Sequence, residues 1–393
     1  MKSKIITIAI LLLGMSSYTQ AQSRNEIIKS IEKNNLCLQA YRAEIDARVL
    51  ENKTGLTLSD PEMEFNHLWI SPDGTTRQDI SISQSIDFAT ISGIKKKVAG
   101  MSNEILEEEY RQERIATILK AELALINLTR LNAELTIQQA RYNDAQQLVA
   151  LYKKSIENGN SNIIEYNKAL VNATNIKAVH QNTKLEHQKT LFELQLLNGG
   201  AAVEFNETQF VQQDIPMDFN IWYEQVKPMI PEYILARKNT ELSSKEVTLS
   251  KMENMPEISA GYMSEGLKKD DKAHGITLGI SIPLWANKNN IKRAKAAEEA
   301  NRIYEKNIEQ ELYYTLYAQY EECKTLKQNS EELRFCCNNA DHSDLLKKAL
   351  NEGQISLTEY IVEMEMIYEM HSETLNAESE YNAALATLMS FTK

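Results

Sequence analysis

The chain contains one structural pattern twice. Around Pro61, and again around Pro256, a proline begins an alternating segment, which leads through a polar loop to a second alternating segment, a very long helical stretch and a glycine turn. The landmarks recur at a nearly constant offset, because Pro61 and Pro256 are 195 residues apart and Gly159 and Gly353 are 194 apart. A duplicated unit of this length predicts one pseudo-symmetric structure and not two unrelated domains.

Residues 1–21 predict a secretory signal peptide. Lys2 and Lys4 give a positive start, an apolar run covers 5–13, and a small-residue exit ends at Ala21. No cysteine lies near the expected cleavage point, so we expect an exported chain without a lipid anchor on its new N-terminus. The alternative is a first helix packed in the core.

The mature chain is expected to contain three parts. Residues 22–200 are a first repeat, with a helix, a strand hairpin over 61–88 and a long helical hairpin whose tip lies near Gly159. Residues 201–221 are an equatorial linker, and 222–393 are a second repeat, with a strand hairpin over 256–285 and a tip near Gly353. The long helical segments, 91–157 and 289–351, contain no proline, and a helix of the first length would extend about 100 Å.

The second strand of each hairpin alternates strictly between apolar and small polar residues. Each strand is about 9–11 residues long, which suits a tilted strand that crosses a bilayer. The uncharged apolar side favours lipid, and the serines and threonine opposite favour a wet lumen. A small soluble antiparallel sheet with one dry face is the alternative. We predict that the lipid-facing residues are Ile80, Ile82, Ile86, Ile276, Leu278, Ile280 and Ile282.

The acidic composition restricts the partners. The net charge is −12, and removal of Lys2 and Lys4 with the signal peptide lowers it by two, to −14. This balance disfavours nucleic acid and anionic lipid surfaces as partners. No later run of about 20 apolar residues occurs, so we predict no transmembrane helix beyond the signal peptide.

The cysteines and histidines do not form a recognisable catalytic or metal-binding pattern. The four cysteines match no disulfide framework or zinc-ligand spacing. Cys336 and Cys337 with His342 could indicate a metal site, but Cys323 and Cys337 fall on an apolar helical seam, where cysteine packs as a small apolar residue. His371 falls on a similar seam. No nucleophile–base set or phosphate loop occurs, so we expect no enzymatic activity and no cofactor.

Four membrane strands cannot close a barrel by themselves. In hydrocarbon every backbone N–H and C=O group needs a partner, and an open sheet of four strands has two bare edges. Several copies must therefore share a barrel, and three copies with twelve strands give a plausible closure.

In these features the chain resembles the TolC-like outer-membrane efflux proteins. The resemblance covers essentially the whole mature chain and rests on the duplicated order of elements, on the alternating strands that begin at Ile80 and Leu278, and on the glycine turns. It implies a mainly α protein with transmembrane β-strands, in which duplicated long helical hairpins form an α-barrel and four strands per chain enter a trimeric, twelve-stranded β-barrel. It also implies a homotrimer in the outer membrane of a Gram-negative bacterium, with a large periplasmic portion.

The resemblance also implies partners and site residues. The distal tips would dock a periplasmic adaptor (membrane fusion) protein. This adaptor would be driven by an inner-membrane pump of the RND type. Glu165 and Glu359 match acidic positions one to two turns into the return helices, where the family narrows its tunnel. The alternative is that each is a first-turn acid stabilised by the helix dipole. The residues expected at the adaptor-docking tips are Asn158, Gly159, Asn160, Glu352, Gly353 and Gln354.

The implied function is an exit duct of a tripartite efflux system, which passes small molecules or metal cations from the periplasm to the exterior. The alternative is a soluble periplasmic coiled-coil adaptor or scaffold protein without a pore. The sequence does not specify the cargo. Met364, Met366 and Met370 near the cysteines give a weak preference for soft metals, although methionine on a helix more often fills a core.

Overall fold

The computed structural model describes residues 22–70, 75–159, 161–268 and 271–392. The expected signal peptide, 1–21, and Asn160 of the first tip lie outside the described residues. Two short 3-10 turns, Lys227–Met229 and Ser390–Thr392, accompany the regular elements. These elements are α1 (Arg24–Asn34), α2 (Leu36–Glu51), β1 (Glu62–Ile70), β2 (Thr75–Ile86), α3 (Phe88–Ile91), α4 (Ile94–Glu157), α5 (Ile163–Leu197), α6 (Phe219–Val226), α7 (Pro231–Glu253), β3 (Glu257–Lys268), β4 (Asp271–Ser281), α8 (Asn290–Ala340), α9 (Ser343–Asn351) and α10 (Leu357–Leu388).

The described residues are mainly helical and contain one four-stranded antiparallel sheet, as the sequence predicts. They fall into two compact units. The tip unit comprises the described parts of Met1–Asn34, Ala124–Phe210 and Ser343–Met366. The sheet unit comprises those of Asn35–Leu123, Val211–His342 and Ile367–Lys393.

The sheet joins the two hairpins in the order β1-β2-β3-β4. The central pairing is between β2 and β3, and it places Ile82 opposite Tyr262 and Ser83 opposite Gly261. A Cβ atom on Gly261 would lie 2.6 Å from the carbonyl oxygen of Ile82 and 2.6 Å from the hydroxyl of Thr277. Glycine at this position therefore allows the strands of the two repeats to approach closely.

An aromatic cluster forms the core of the sheet unit. Phe219 of α6 stacks on Tyr223 with a centroid distance of 5.7 Å and lies 5.5 Å from Tyr320 of α8. The hydroxyl of Tyr320 donates a hydrogen bond to the carbonyl of Pro216 at 3.0 Å, which fastens the linker to α8. Cys323 is completely buried in this cluster, and burial raises the pKa of its thiol to about 11. Its predicted role as a small apolar packing residue is therefore confirmed.

One asparagine side chain organises the tip unit. The amide nitrogen of Asn132 in α4 donates to the carbonyls of Phe205 at 3.2 Å and Glu207 at 3.0 Å. Its amide oxygen lies 2.9 Å from Nε2 of His187 in α5, and burial lowers the pKa of this imidazole. A neutral His187 whose Nε2–H donates to Asn132 satisfies both groups, so α4, α5 and the segment after α5 are tied together.

Two predicted helices are interrupted. The single helix expected before the first strand hairpin is broken at Asn35, whose side chain accepts a hydrogen bond from Leu38 N at 2.9 Å and caps α2. The helix expected over 289–351 breaks after Ala340, because Asp341 is extended with ψ 113°. His342 Nδ1 lies 2.7 Å from the carbonyl of Ala340, so a side chain takes the place of the next helical hydrogen bond. Neither break is marked by proline or glycine.

The end of the sheet corrects one further prediction. Ile282 was expected within the last strand, but β4 ends at Ser281, which pairs with Glu257. The next pair along the register would be Ile282 with Pro256. Proline lacks the N–H group that a ladder bond needs, and Pro283 follows directly, so the pairing stops one residue early.

Candidate functional site: a two-faced sheet and two glycine turns

One face of the sheet is apolar and exposed. The strand register places the residues predicted to face lipid, from both repeats, on this same face. Ile82 is opposite Tyr262, and Tyr262 is opposite Ile276. Ile276, Leu278 and Ile280 are 81%, 79% and 71% exposed, values that no side chain packed in a soluble core would show. Strand β1 adds three large apolar side chains to this face, Met63, Phe65 and Trp69.

The opposite face is polar. It carries the small side chains that the alternation predicted, including Ser81, Ser83, Ser85, Thr277 and Ser281. It also carries a charge cluster that the sequence analysis did not anticipate, in which Nε of Arg77 lies 3.1 Å from Asp79 and 2.9 Å from Glu265. Arg77 and Glu265 come from different hairpins, so only the strand register reveals this contact.

The two outer strands leave open edges. Within the described ranges, β1 pairs only with β2, and β4 pairs only with β3. Each outer strand therefore has one row of N–H and C=O groups without a strand partner. An apolar exposed face combined with two open edges is the arrangement that the sequence analysis expects of part of a larger barrel.

Of the helices in the described residues, none combines the length and the apolar character that a membrane span requires.

Glycine turns end both long helical segments. Gly159 and Gly353 have φ values of 72° and 71°, in the left-handed region that favours glycine. After α9, Gly353 N donates to the carbonyl of Leu350 at 3.1 Å, and Gln354 N donates to that of Ala349 at 2.9 Å. These two bonds satisfy carbonyls at the helix end, so the chain reverses within a few residues. Asn158 and Glu352 precede the glycines and are exposed.

The two predicted constriction acids lie in the first turns of the return helices, and not one to two turns further on. Glu359 forms a capping box, since its carboxylate accepts from Ser356 N at 2.7 Å and its own N–H donates to the Ser356 hydroxyl at 3.2 Å. The backbone and hydroxyl hydrogen bonds from Ser356 lower the pKa of Glu359. Glu165 follows a different cap, Asn162, and pairs with Lys168 at 3.1 Å.

Lys168 connects the first helical hairpin to the second. Its ammonium group lies 3.1 Å from Glu165 and donates to the hydroxyl of Thr358 at 2.8 Å. Nearby, Lys347 of α9 pairs with Asp144 of α4 at 2.5 Å. The two acids and the two turns therefore belong to one connected region of the tip unit. The sequence predicted the two acids but not the contacts of Ser356 and Lys168 with them. The spacing of Ser356 and Glu359 is a capping-box signature that could have indicated the first contact.

Across the described ranges, no three side chains from His, Cys, Asp and Glu converge as ligands for a metal ion. Cys336 and His342, which the sequence placed near a possible metal site, do not come together with Cys337 as one ligand set. Cys337 is buried and lies 3.0 Å from Nδ1 of His371, so both are packed side chains on their helices, as expected.

Comparison with known proteins finds similarity only at the level of structure. No protein-family model matches the sequence, and no curated protein matches it. The fold is similar to the CmeC outer membrane channel of Campylobacter jejuni, with a TM-score of 0.75 and 13% identity over 100% of this chain and 93% of that chain. It is similar to a membrane protein from Pseudomonas aeruginosa, with a TM-score of 0.76 and 13% identity over 94% and 93% of the two chains. The outer membrane protein VceC of Vibrio cholerae gives a TM-score of 0.74 and 14% identity over 93% and 96%.

Proposed function

Because the chain has the fold of the TolC-like outer-membrane channels, we propose that it is the outer-membrane exit duct of a tripartite efflux system. The single observation that carries this proposal is the sheet, whose apolar face is exposed and whose two edges are open. The similar solved structures are outer-membrane channels by description, which supports the same location for this chain. The duct has no enzymatic role and needs no cofactor.

In the proposed duct the sheet closes as a homotrimer. Each chain contributes strands β1 to β4, so three chains give a barrel of twelve strands in which β1 of one chain pairs with β4 of the next. This pairing satisfies the open backbone groups in lipid. The face that carries Ile82 and Leu278 then contacts lipid, and the face that carries Ser83 and Arg77 lines the water-filled lumen.

The remaining parts follow the same proposal. The signal peptide at 1–21 directs export, the repeats 22–200 and 222–393 with their linker 201–221 build the periplasmic tunnel, and the two turns dock a periplasmic adaptor. An inner-membrane pump of the RND type would drive transport of small molecules or metal cations. The exposed side chains beside Gly159 and Gly353 support the turns as docking points, since they leave the backbone reversal accessible.

Cell fractionation tests this function. We expect the mature chain to be extracted from outer-membrane fractions by detergent as an oligomer of three chains that dissociates on heating. The physical reason is that a monomer would expose both edges and the apolar face together. Size-exclusion chromatography with light scattering measures the mass. Recovery of a soluble periplasmic monomer would reject the duct and favour the adaptor or scaffold alternative.

Glu359 and Glu165 can be tested as constriction residues without disturbing the helix. Glutamine also completes a capping box, so we expect Glu359→Gln to keep the cap with Ser356 while it removes the charge. A ring of three carboxylates favours cations, so the variant should reduce cation-over-anion permeability in planar bilayers. Glu165→Gln should act in the same direction. Glu352→Gln, an exposed acid at the turn, serves as the control. If permeability is unchanged in both variants while thermal stability is retained, the two acids are first-turn residues of their helices and do not form a constriction.

A further inference from the structure

Soft donor atoms from two helices of the sheet unit meet at neighbouring positions. Sγ of Cys337 in α8 lies 3.0 Å from Nδ1 of His371 in α10. One residue earlier on each helix, Sγ of Cys336 lies 3.7 Å from Sδ of Met370. Cys337 is buried, whereas Cys336 is exposed, so the donors extend from the packed seam to the surface.

A carboxylate fixes the orientation of the histidine ring. Nε2 of His371 lies 3.1 Å from Oδ2 of Asp341, the residue at which the long helix breaks. Nε2–H then donates to the carboxylate, which leaves the lone pair on Nδ1, the ring nitrogen nearer to Cys337, since Sγ lies 3.0 Å from Nδ1 and 4.0 Å from Nε2. Metal-binding histidines are commonly held in this way by a carboxylate on the far ring nitrogen.

The first repeat has other residues at the sequence positions that correspond to this pair. At the offset of 194 residues between the repeats, the positions of Cys337 and His371 correspond to Asn143 and Lys177 in the first repeat. At these two sequence positions the first repeat has neither sulfur nor imidazole, although His180 stacks on Tyr142 nearby. The pair is a feature of the second repeat alone, which separates it from the duplicated architecture.

The arrangement does not suit a nucleophilic thiol. A reactive cysteine needs a lowered pKa, whereas burial raises the pKa of the Cys337 thiol. A soft metal ion also binds the thiolate, but it drives the deprotonation itself, because it displaces the thiol proton to water and replaces it by a metal–sulfur bond. Soft thiolate and thioether ligands select Cu(I), which also accepts imidazole and low coordination numbers.

We propose that Cys337 and His371 bind one soft monovalent ion, Cu(I) or Ag(I), through Sγ and Nδ1. Asp341 is a positioning residue that acts through the ring of His371. Cys336 and Met370 form an adjacent sulfur pair through which an ion at the surface reaches the buried thiolate. This site goes beyond the proposed exit duct and does not depend on it, since binding is a property of the purified chain.

Competition with a chromogenic Cu(I) chelator tests the site on the full chain in detergent under anaerobic, reducing conditions. We expect one tightly bound Cu(I) per chain. Cys337→Ser and His371→Gln should each abolish binding of this ion. Asp341→Asn should lower the affinity for Cu(I) about tenfold, as changes to residues that orient a metal ligand do. Cys37→Ser removes an exposed thiol elsewhere, and His180→Gln replaces another histidine of a long helix. Both controls should bind as the unmodified chain does.

A spectroscopic measurement on the unmodified chain covers the case in which a variant fails to fold. X-ray absorption at the copper edge should report one sulfur and one nitrogen ligand in the first sphere. The proposal is overturned if the unmodified chain takes up no Cu(I) at micromolar concentrations. It is also overturned if the spectrum lacks nitrogen, or if folded Cys337→Ser retains the ion with unchanged affinity.

Discussion

Arginine in place of Ile82 is expected to remove most of the heat-resistant oligomer from the outer membrane, whereas arginine in place of the adjacent Ser83 leaves most of it. Ile82 lies on the apolar face between Met63 and Tyr262, on a strand with a partner on each side. On the lipid face of a barrel, arginine near the bilayer midplane costs about 2–4 kcal/mol per chain. In a trimer the cost is incurred three times, so assembly should fail.

Ser83 is the matched control because it differs from Ile82 only in the face that it occupies. It lies one position along the same strand, opposite Gly261, which leaves space on the polar face. An arginine there points into water, so its charge stays solvated. Leu278→Arg and Thr277→Arg form an equivalent pair on β4. The measurement is the amount of oligomer in outer-membrane extracts on unheated gels. Equal losses for Ile82→Arg and Ser83→Arg would contradict the assigned faces.

The alternation of the strands could be predicted because it is local. Side chains in a strand alternate between faces with a period of two, so Ile80, Ile82 and Ile86 were assigned to one side without knowledge of their partners. Strand β1 was predicted over the same residues that the structure gives, Glu62–Ile70. The glycine turns were equally local, because a left-handed residue at Gly159 or Gly353 needs no distant contact.

The features that were missed depend on contacts between distant segments. The break after Ala340 coincides with a hydrogen bond that Nε2–H of His371, 30 residues away, donates to the carboxylate of Asp341. The charge cluster on the polar face depends on the register between β2 and β3, which places Arg77 beside Glu265. A short stretch of sequence does not determine strand register or which helices pair, so periodicity alone could not predict either contact.

Removal of Arg334 is the second change with a large expected effect, and it acts on stability. The carboxylate of Glu378 in α10 is only 9% exposed and is bonded to the guanidinium of Arg334. Loss of a hydrogen-bonded charged partner leaves a buried carboxylate unpaired, which costs about 1.5–3 kcal/mol. We therefore expect Arg334→Met to cause a clear decrease in the midpoint of thermal unfolding, measured in detergent.

The double variant Arg334→Met/Glu378→Met distinguishes an unpaired charge from lost packing. Methionine fills a similar volume, and replacing both members of a buried pair by apolar residues is often nearly neutral, so the midpoint should largely recover. Lys324→Met is the control, because Lys324 pairs with Glu321 at 3.0 Å while both side chains stay about half exposed. Such a surface pair contributes about 0.3–0.5 kcal/mol, so this midpoint should hardly move. If the double variant is as unstable as Arg334→Met, the stem of Arg334 stabilises the seam by packing and the charge of Glu378 is not the cause.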